Sequence, residues 1–184
     1  MAAREELTLL VTVGSTRFDA LVARVQDDDV LQAIGSLAPN ARVLLQYGRS
    51  DVRPPAHAKP TIVHGVEALV YTMDNVHVYL FRYAPSLQAF MDASDMVVAH
   101  GGAGTILEAL RTPSHPRVMV VPNASLMDDH QRELADTMAP DYCLLGDLTS
   151  LPTQLSTLAT RTFARFPNRR QDALHAVVLG AWGA

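Results

Sequence analysis

Cysteine is almost missing from this sequence. Cys143 is the sole example in 184 residues, so neither a disulfide framework nor a cysteine-based metal site is available, and a reducing compartment fits. Long apolar runs are missing as well: no stretch approaches the roughly 18 consecutive apolar residues of a membrane helix. The first residues place Glu5 and Glu6 ahead of a short apolar run, which does not read as a signal peptide. Positive charge is not in surplus. The net charge is -4 and the pI is near 5.9, which argues against a general nucleic-acid binder. The one basic cluster, Arg161, Arg165, Arg169 and Arg170, reads as a solvated helix face or as a contact for a partner or membrane surface. Charged residues make up only 18% against 48% hydrophobic, too apolar for disorder and suited to one compact domain spanning 1–184. That length is too short for two nucleotide-binding domains.

What is present is an alternation of strand-like apolar runs with helix-period stretches, the pattern of a mostly parallel α/β sheet flanked by helices. Strands are expected at Leu7–Val13, Arg42–Tyr47, Val76–Phe81, Met96–Ala99, Arg117–Val121 and Tyr142–Leu145. Helix faces follow from Phe18, Leu21, Val22 and Val25, from Ile34 and Leu37, from Leu87, Phe90 and Met91, and from Ile106, Ala109 and Leu110. The Asp27-Asp28-Asp29 run breaks the first of these. A further helix is expected near Asp129–Met138. Residues 48–75, rich in proline, read as the least regular part, with one short strand near Thr61–His64. Two C-terminal helices are expected, around Ser150–Phe166 and from Asn168 to about 182. The second carries Leu174, Val177, Val178 and Ala181 on one stripe, for the chain's own core or for a partner.

In an open parallel sheet, ligands bind beyond the carboxyl ends of the strands. Three loops there carry suggestive chemistry. Gly14-Ser15-Thr16 follows the first strand directly before a helix; it offers close backbone approach and hydroxyl donors for an anion, or an ordinary turn and helix cap. His100-Gly101-Gly102-Ala103-Gly104-Thr105 has more glycine than a tight turn needs, so a ligand packed on bare backbone is expected. It is not a dinucleotide fingerprint, because Leu107 stands where a third small residue belongs and Val121-Pro122-Asn123 lacks the ribose-binding acid. No Gly-Lys-Ser/Thr phosphate loop occurs. Glu108 in the following helix can accept from both hydroxyls of a ribose, or simply favour the helix dipole. The stretch from Pro122 and Asn123 through Asp128, Asp129, His130 and Gln131 is a row of hydrogen-bonding groups suited to a polyhydroxylated ligand. No Asp, His or Cys cluster suggests a bound cation, and no cofactor is expected.

Taken in order, Val11–Asp19, Gln46-Tyr47-Gly48-Arg49, His100–Glu108 and Leu126–Ala135 resemble the glycosyltransferase family 28 C-terminal domain. Asp51–Asn75 matches that family poorly. The resemblance implies a Rossmann-like fold equivalent to the C-terminal half of a GT-B glycosyltransferase, and an enzyme split over two chains. This chain would be the donor-binding half, and a membrane-anchored partner would bind the acceptor, on the cytosolic face of the endoplasmic reticulum. The reaction implied is inverting transfer of N-acetylglucosamine from UDP-N-acetylglucosamine to dolichyl diphosphate N-acetylglucosamine. Carried over by motif, Glu108 would hold the ribose, and Gly102, Gly104 and Thr105 would line the nucleotide. Tyr83, with Ala84 and Leu87, would lie near the uracil, and Gly14, Ser15 and Thr16 would face the diphosphate. Asn123 would line the donor site, while His130 and Gln131 would contact the sugar. His100 is a candidate general base, though the base is expected on the partner. The competing reading is a stand-alone UDP-sugar-binding module without catalysis.

Overall fold

A computed structural model describes residues 5–123, 137–139 and 141–167. Its frame is one eight-stranded sheet. The strands are β1 (Glu6–Thr12), β2 (Asn40–Gln46), β3 (Lys59–Val63), β4 (Val66–Met73), β5 (Val76–Phe81), β6 (Met96–His100), β7 (Arg117–Val121) and β8 (Leu144–Leu145). The helices are α1 (Asp19–Val25), α2 (Asp28–Gly35), α3 (Gln88–Asp92), α4 (Ala103–Arg111) and α5 (Leu151–Thr160). The sheet order is β3-β4-β5-β2-β1-β6-β7-β8. Five of its seven pairings are parallel, and the two made by β4 are antiparallel.

The central strands are apolar because both faces of the sheet are covered. Leu9 and Val11 of β1 join α1, α2 and α5 through Leu21, Val25, Leu31, Ile34, Leu155 and Leu158 in one core. Leu10, between them, points to the other face and packs with Phe90 and Met91 of α3 and Ile106 and Ala109 of α4. This period-two split places helices on both sides of the sheet.

Several expectations are corrected. The 48–75 segment is not chiefly irregular: it holds β3 and β4, an antiparallel hairpin pairing Val63 with Val66. Its two-residue turn, His64-Gly65, has φ of 47° and 78°, the left-handed pair that matches strand twist. Helix α5 ends at Thr160 rather than Phe166, and Arg161 is already in extended backbone. The described basic residues therefore do not share a helix face: Arg161 stacks over Phe163 at 5.2 Å, and its carbonyl accepts from Arg117 Nε at 2.9 Å. The 168–182 helix and most of the Asp129–Met138 helix lie outside the described residues.

Candidate functional site

Chain direction locates the site. From β1 the chain runs through α1 and α2 on one face to β2; from β6 it runs through α4 on the other face to β7. The loops leaving β1 and β6, which are neighbours in the sheet, therefore part company at their carboxyl ends. That divergence is the topological switch point of an open sheet, where a crevice for ligand opens. The glycine-bearing loops of the sequence are the two that flank it.

His100 forms the crevice floor. It is 6% exposed, and both glycine loops pack on its ring. A β-carbon on Gly14 would stand 2.7 Å from His100 Cε1, and one on Gly102 would stand 2.5 Å from His100 Nε2. Gly14 also has φ of +61°, a left-handed conformation that costs other residues about 1–2 kcal/mol. These two glycines are thus required on steric grounds by a neighbour, before any ligand arrives. Gly104 differs, since a β-carbon there would meet open space.

A buried polar network holds the first loop. Thr12 and Gln46, the last residues of β1 and β2, are 0% and 3% exposed. Thr12 Oγ1 donates to Gln46 Oε1 at 2.5 Å and accepts from Gly14 N at 3.1 Å. Gln46 Nε2 donates to the carbonyls of Gly14 at 2.7 Å and Arg82 at 3.1 Å. Loops after β1, β2 and β5 are thereby tied into one surface. Sequence reasoning assigned no role to Thr12 and Gln46; their signal was a polar residue at the end of an otherwise buried apolar strand.

The Gly14-Ser15-Thr16 segment does not cap a helix. Thr16 folds back instead, its hydroxyl donating to the Val13 carbonyl at 2.7 Å, and α1 starts at Asp19 with Phe18 as its N-cap. The Phe18 N–H is taken by Ser50 Oγ at 2.8 Å. Thr16 therefore has oxygen lone pairs to offer a ligand, while its proton is committed. Ser15 is exposed at the rim. Asn123, buried to 5% exposure, donates to the Arg17 carbonyl at 3.0 Å and so braces this loop from the end of β7.

Across the crevice, α4 begins at Ala103 with Gly102 as its N-cap. No side chain caps it and no acid stands in its first turn, so the helix start presents backbone N–H groups and a positive dipole end. That is suitable chemistry for a diphosphate. Glu108 is the sixth residue of α4 and exposed; it lies beyond the first turn, which removes the dipole explanation for it. Thr105 is half-buried near the helix start and Tyr83 is 46% exposed just past β5. His130 and Gln131 lie outside the described residues. A cavity of about 520 Å³ also exists, bounded by Asp95, Arg117 and Arg161, but it sits at the amino ends of β6 and β7, away from the crevice.

Burial pushes the His100 imidazole below its ordinary pKa of 6.5, and the Thr12 backbone opposes this more weakly. Its Nδ1 has no hydrogen-bond partner among the described residues. A buried floor residue is poorly placed to take a proton from an incoming acceptor, which favours the structural role. The sign of its linkage follows directly. The unfolded chain protonates His100 near 6.5 while the folded chain resists, so this stability is present above about pH 6.5 and is lost as pH falls. The Tm of the wild type is expected to fall as pH is lowered from about 7.5 to 5.5, with a His100→Asn variant showing a shallower dependence. Equal slopes would mean that His100 titrates alike in both states.

The chain matches the family model described as the glycosyltransferase family 28 C-terminal domain over residues 8–180. A Cryptococcus neoformans protein named UDP-N-acetylglucosamine transferase subunit ALG13 is 31% identical, the match covering 93% of this chain and 94% of the relative. The human protein of the same name is 36% identical over 90% of this chain, which spans 13% of that longer relative. Among solved structures, a solution structure of ALG13 superposes with TM-score 0.61 at 21% identity, covering 94% of each chain. MurG of Acinetobacter baumannii superposes with TM-score 0.57 at 18% identity, over 86% of this chain and 42% of that one. These two likenesses establish the fold.

Proposed function

The chain belongs to the glycosyltransferase family 28 C-terminal domain family, and on that premise we propose that it is the donor-binding subunit of an N-acetylglucosaminyltransferase. It uses UDP-N-acetylglucosamine and works with a partner subunit, as the name of its relatives has it. The finer reading is that the partner is membrane-anchored and holds dolichyl diphosphate N-acetylglucosamine at the cytosolic face of the endoplasmic reticulum. No helix of the described residues is long and apolar enough to cross a membrane. Family membership speaks for a transferase over a non-catalytic binding module.

The observation that carries this reading is the switch point between β1 and β6, with an uncapped helix start and open space before Gly104 on one side. In inverting transfer the acceptor hydroxyl attacks C1 of the sugar while UDP leaves, and negative charge grows on the diphosphate. The N–H groups at the start of α4 are fixed before the reaction, so they stabilise that charge without reorganising. Gly104 leaves room for the nucleotide to approach, Gly102 and Thr105 line it, Tyr83 borders the uracil, and Gly14, Ser15 and Thr16 face the diphosphate from the other wall, where the exposed Ser15 supplies the uncommitted donor. Asn123, besides bracing that wall, borders the sugar with His130 and Gln131. The general base belongs to the partner.

Glu108 gives the test. Calorimetry on the isolated chain is expected to show UDP and UDP-N-acetylglucosamine binding and no preference for NADH. Glu108→Gln should weaken both uridine ligands by a similar factor, roughly tenfold for a lost charge-assisted pair of hydrogen bonds to the ribose they share. Loss confined to the sugar-bearing ligand would remove Glu108 from the ribose, and tighter binding of NADH than of UDP would overturn the function itself.

A further inference from the structure

The β3–β4 hairpin has no part in the site described so far, yet its turn stands at the same end of the sheet. β2 runs parallel to β1 and β5 parallel to β2, while β4 runs antiparallel to β5. The turn that joins β3 to β4 therefore lies at the carboxyl ends of the parallel strands. The loop that leaves β5 toward α3 lies there too. Val63 and Val66, on either side of the turn, pack against the cluster that holds Phe81, Phe90 and Ile106, and Ala84 and Leu87 of the β5–α3 loop pack against the same cluster. Hairpin and loop thus share one underlying core.

His64 turns that shared core into a direct tie. Its ring meets Phe90 edge-on, with centroids 4.9 Å apart and planes at 66°. Phe90 in turn stacks on Phe81, at 4.4 Å and 20°. Both phenylalanines are 1% exposed, whereas His64 is exposed, so a surface turn is fastened by one ring to two buried ones. Phe81 is the last residue of β5 and Phe90 is the third of α3. The stacked pair therefore clamps both ends of the loop at residues 82–87, and His64 closes the stack from outside. Residue choice points the same way. His64 and Gly65 have φ of 47° and 78°, a turn for which Asn-Gly is the favoured pair. Histidine gives up that preference, and what it adds is a ring that reaches Phe90.

We infer that His64 is a positioning residue for the donor's base: through Phe90 and Phe81 it holds the 82–87 loop in the arrangement that receives uracil. This rests on the proposed function, in which Tyr83 borders the uracil with Ala84 and Leu87 beside it. A single aromatic contact is a small part of the stability of a whole domain. It acts on the loop directly, however, and affinity falls in proportion to the fraction of chains whose loop is competent. A pocket held in one shape also excludes the wrong base, so loss of the brace blunts selectivity together with affinity.

Two substitutions separate a brace from a merely stable turn. His64→Asn suits the turn and removes the ring, while His64→Phe keeps a ring and suits the left-handed backbone less well. Thermal unfolding of the full chain is expected to place His64→Asn at or above His64→Phe. Calorimetry with UDP is expected to rank them in the opposite order. His64→Asn should bind roughly three- to tenfold more weakly than the wild type, the range of one aromatic contact, and His64→Phe nearly as well as the wild type. ADP should bind the wild type more weakly than UDP does and lose much less in His64→Asn, so that the preference for UDP narrows. UDP affinities that follow the melting order would overturn the proposal by reducing His64 to a turn residue, as would wild-type affinity and selectivity in His64→Asn. A wild-type chain that does not bind UDP would instead overturn the proposed function.

Discussion

Replacing Gly102 with alanine is expected to cut UDP affinity by roughly 10- to 100-fold, the scale of a 1–3 kcal/mol overpacking penalty. The new methyl would stand 2.5 Å from His100 Nε2, and a ring that cannot yield must push the loop away. His100 is buried, and Gly14 closes on its other side, where an added β-carbon would be 2.7 Å from Cε1. The glycine loops must therefore spread, and the start of α4 moves off the ligand. Gly14→Ala should act in the same direction with backbone strain added, because its φ is +61°. A double-mutant cycle isolates the cause. With His100→Ala in the background, Gly102→Ala should cost much less, since the atoms it strikes are gone. Full additivity, or wild-type UDP affinity in Gly102→Ala, would show that the ring does not set the loop spacing.

Gln46→Leu is expected to lower stability by about 2–5 kcal/mol, and Tm by roughly 5–15 °C for a chain of this size. The leucine fills similar volume but leaves the Thr12 hydroxyl and the carbonyls of Gly14 and Arg82 without the amide that now serves all three. Unmet polar groups in a region this buried cost more than the apolar gain returns. Urea denaturation should show a lower midpoint with an unchanged slope, which separates lost stability from a changed unfolded state. A midpoint equal to that of the wild type would mean that water replaces the amide at no cost.

The parts of the fold that sequence made legible are those where local pattern and burial agree. β5 and β7 stand at Val76–Phe81 and Arg117–Val121 as expected: the Val118–Val121 run of β7 is what a strand covered on both faces requires, and β5 alternates buried Val76, Val78 and Leu80 with half-buried His77 and Tyr79. Ile106, Ala109 and Leu110 line the buried face of α4 for the same reason. The hairpin of β3 and β4 was hidden. β3 is an edge strand with a mixed, mostly exposed pattern, and prolines crowd the approach to it. Its turn uses His64 in a left-handed conformation, where the usual signal would be Asn or Asp before glycine.

For the site, the loops were legible and their mutual contacts were not. The glycines of residues 14 and 102 announce close approach, but sequence suggests a ligand, whereas the first thing they approach is His100. That follows from strand order: β1 and β6 are neighbours although four strands separate them in the chain. Thr16 likewise looks like a donor to an anion until its hydroxyl is seen to close its own turn on Val13. Such local bonds compete with caps for the same hydroxyl, and spacing alone does not decide between them.

The most direct test of a split enzyme is a transfer assay with UDP-N-acetylglucosamine and phytanyl diphosphate N-acetylglucosamine, run on this chain alone, on the acceptor-binding partner alone, and on the two mixed. The proposed function predicts disaccharide product only from the mixture. Product from this chain by itself would contradict it.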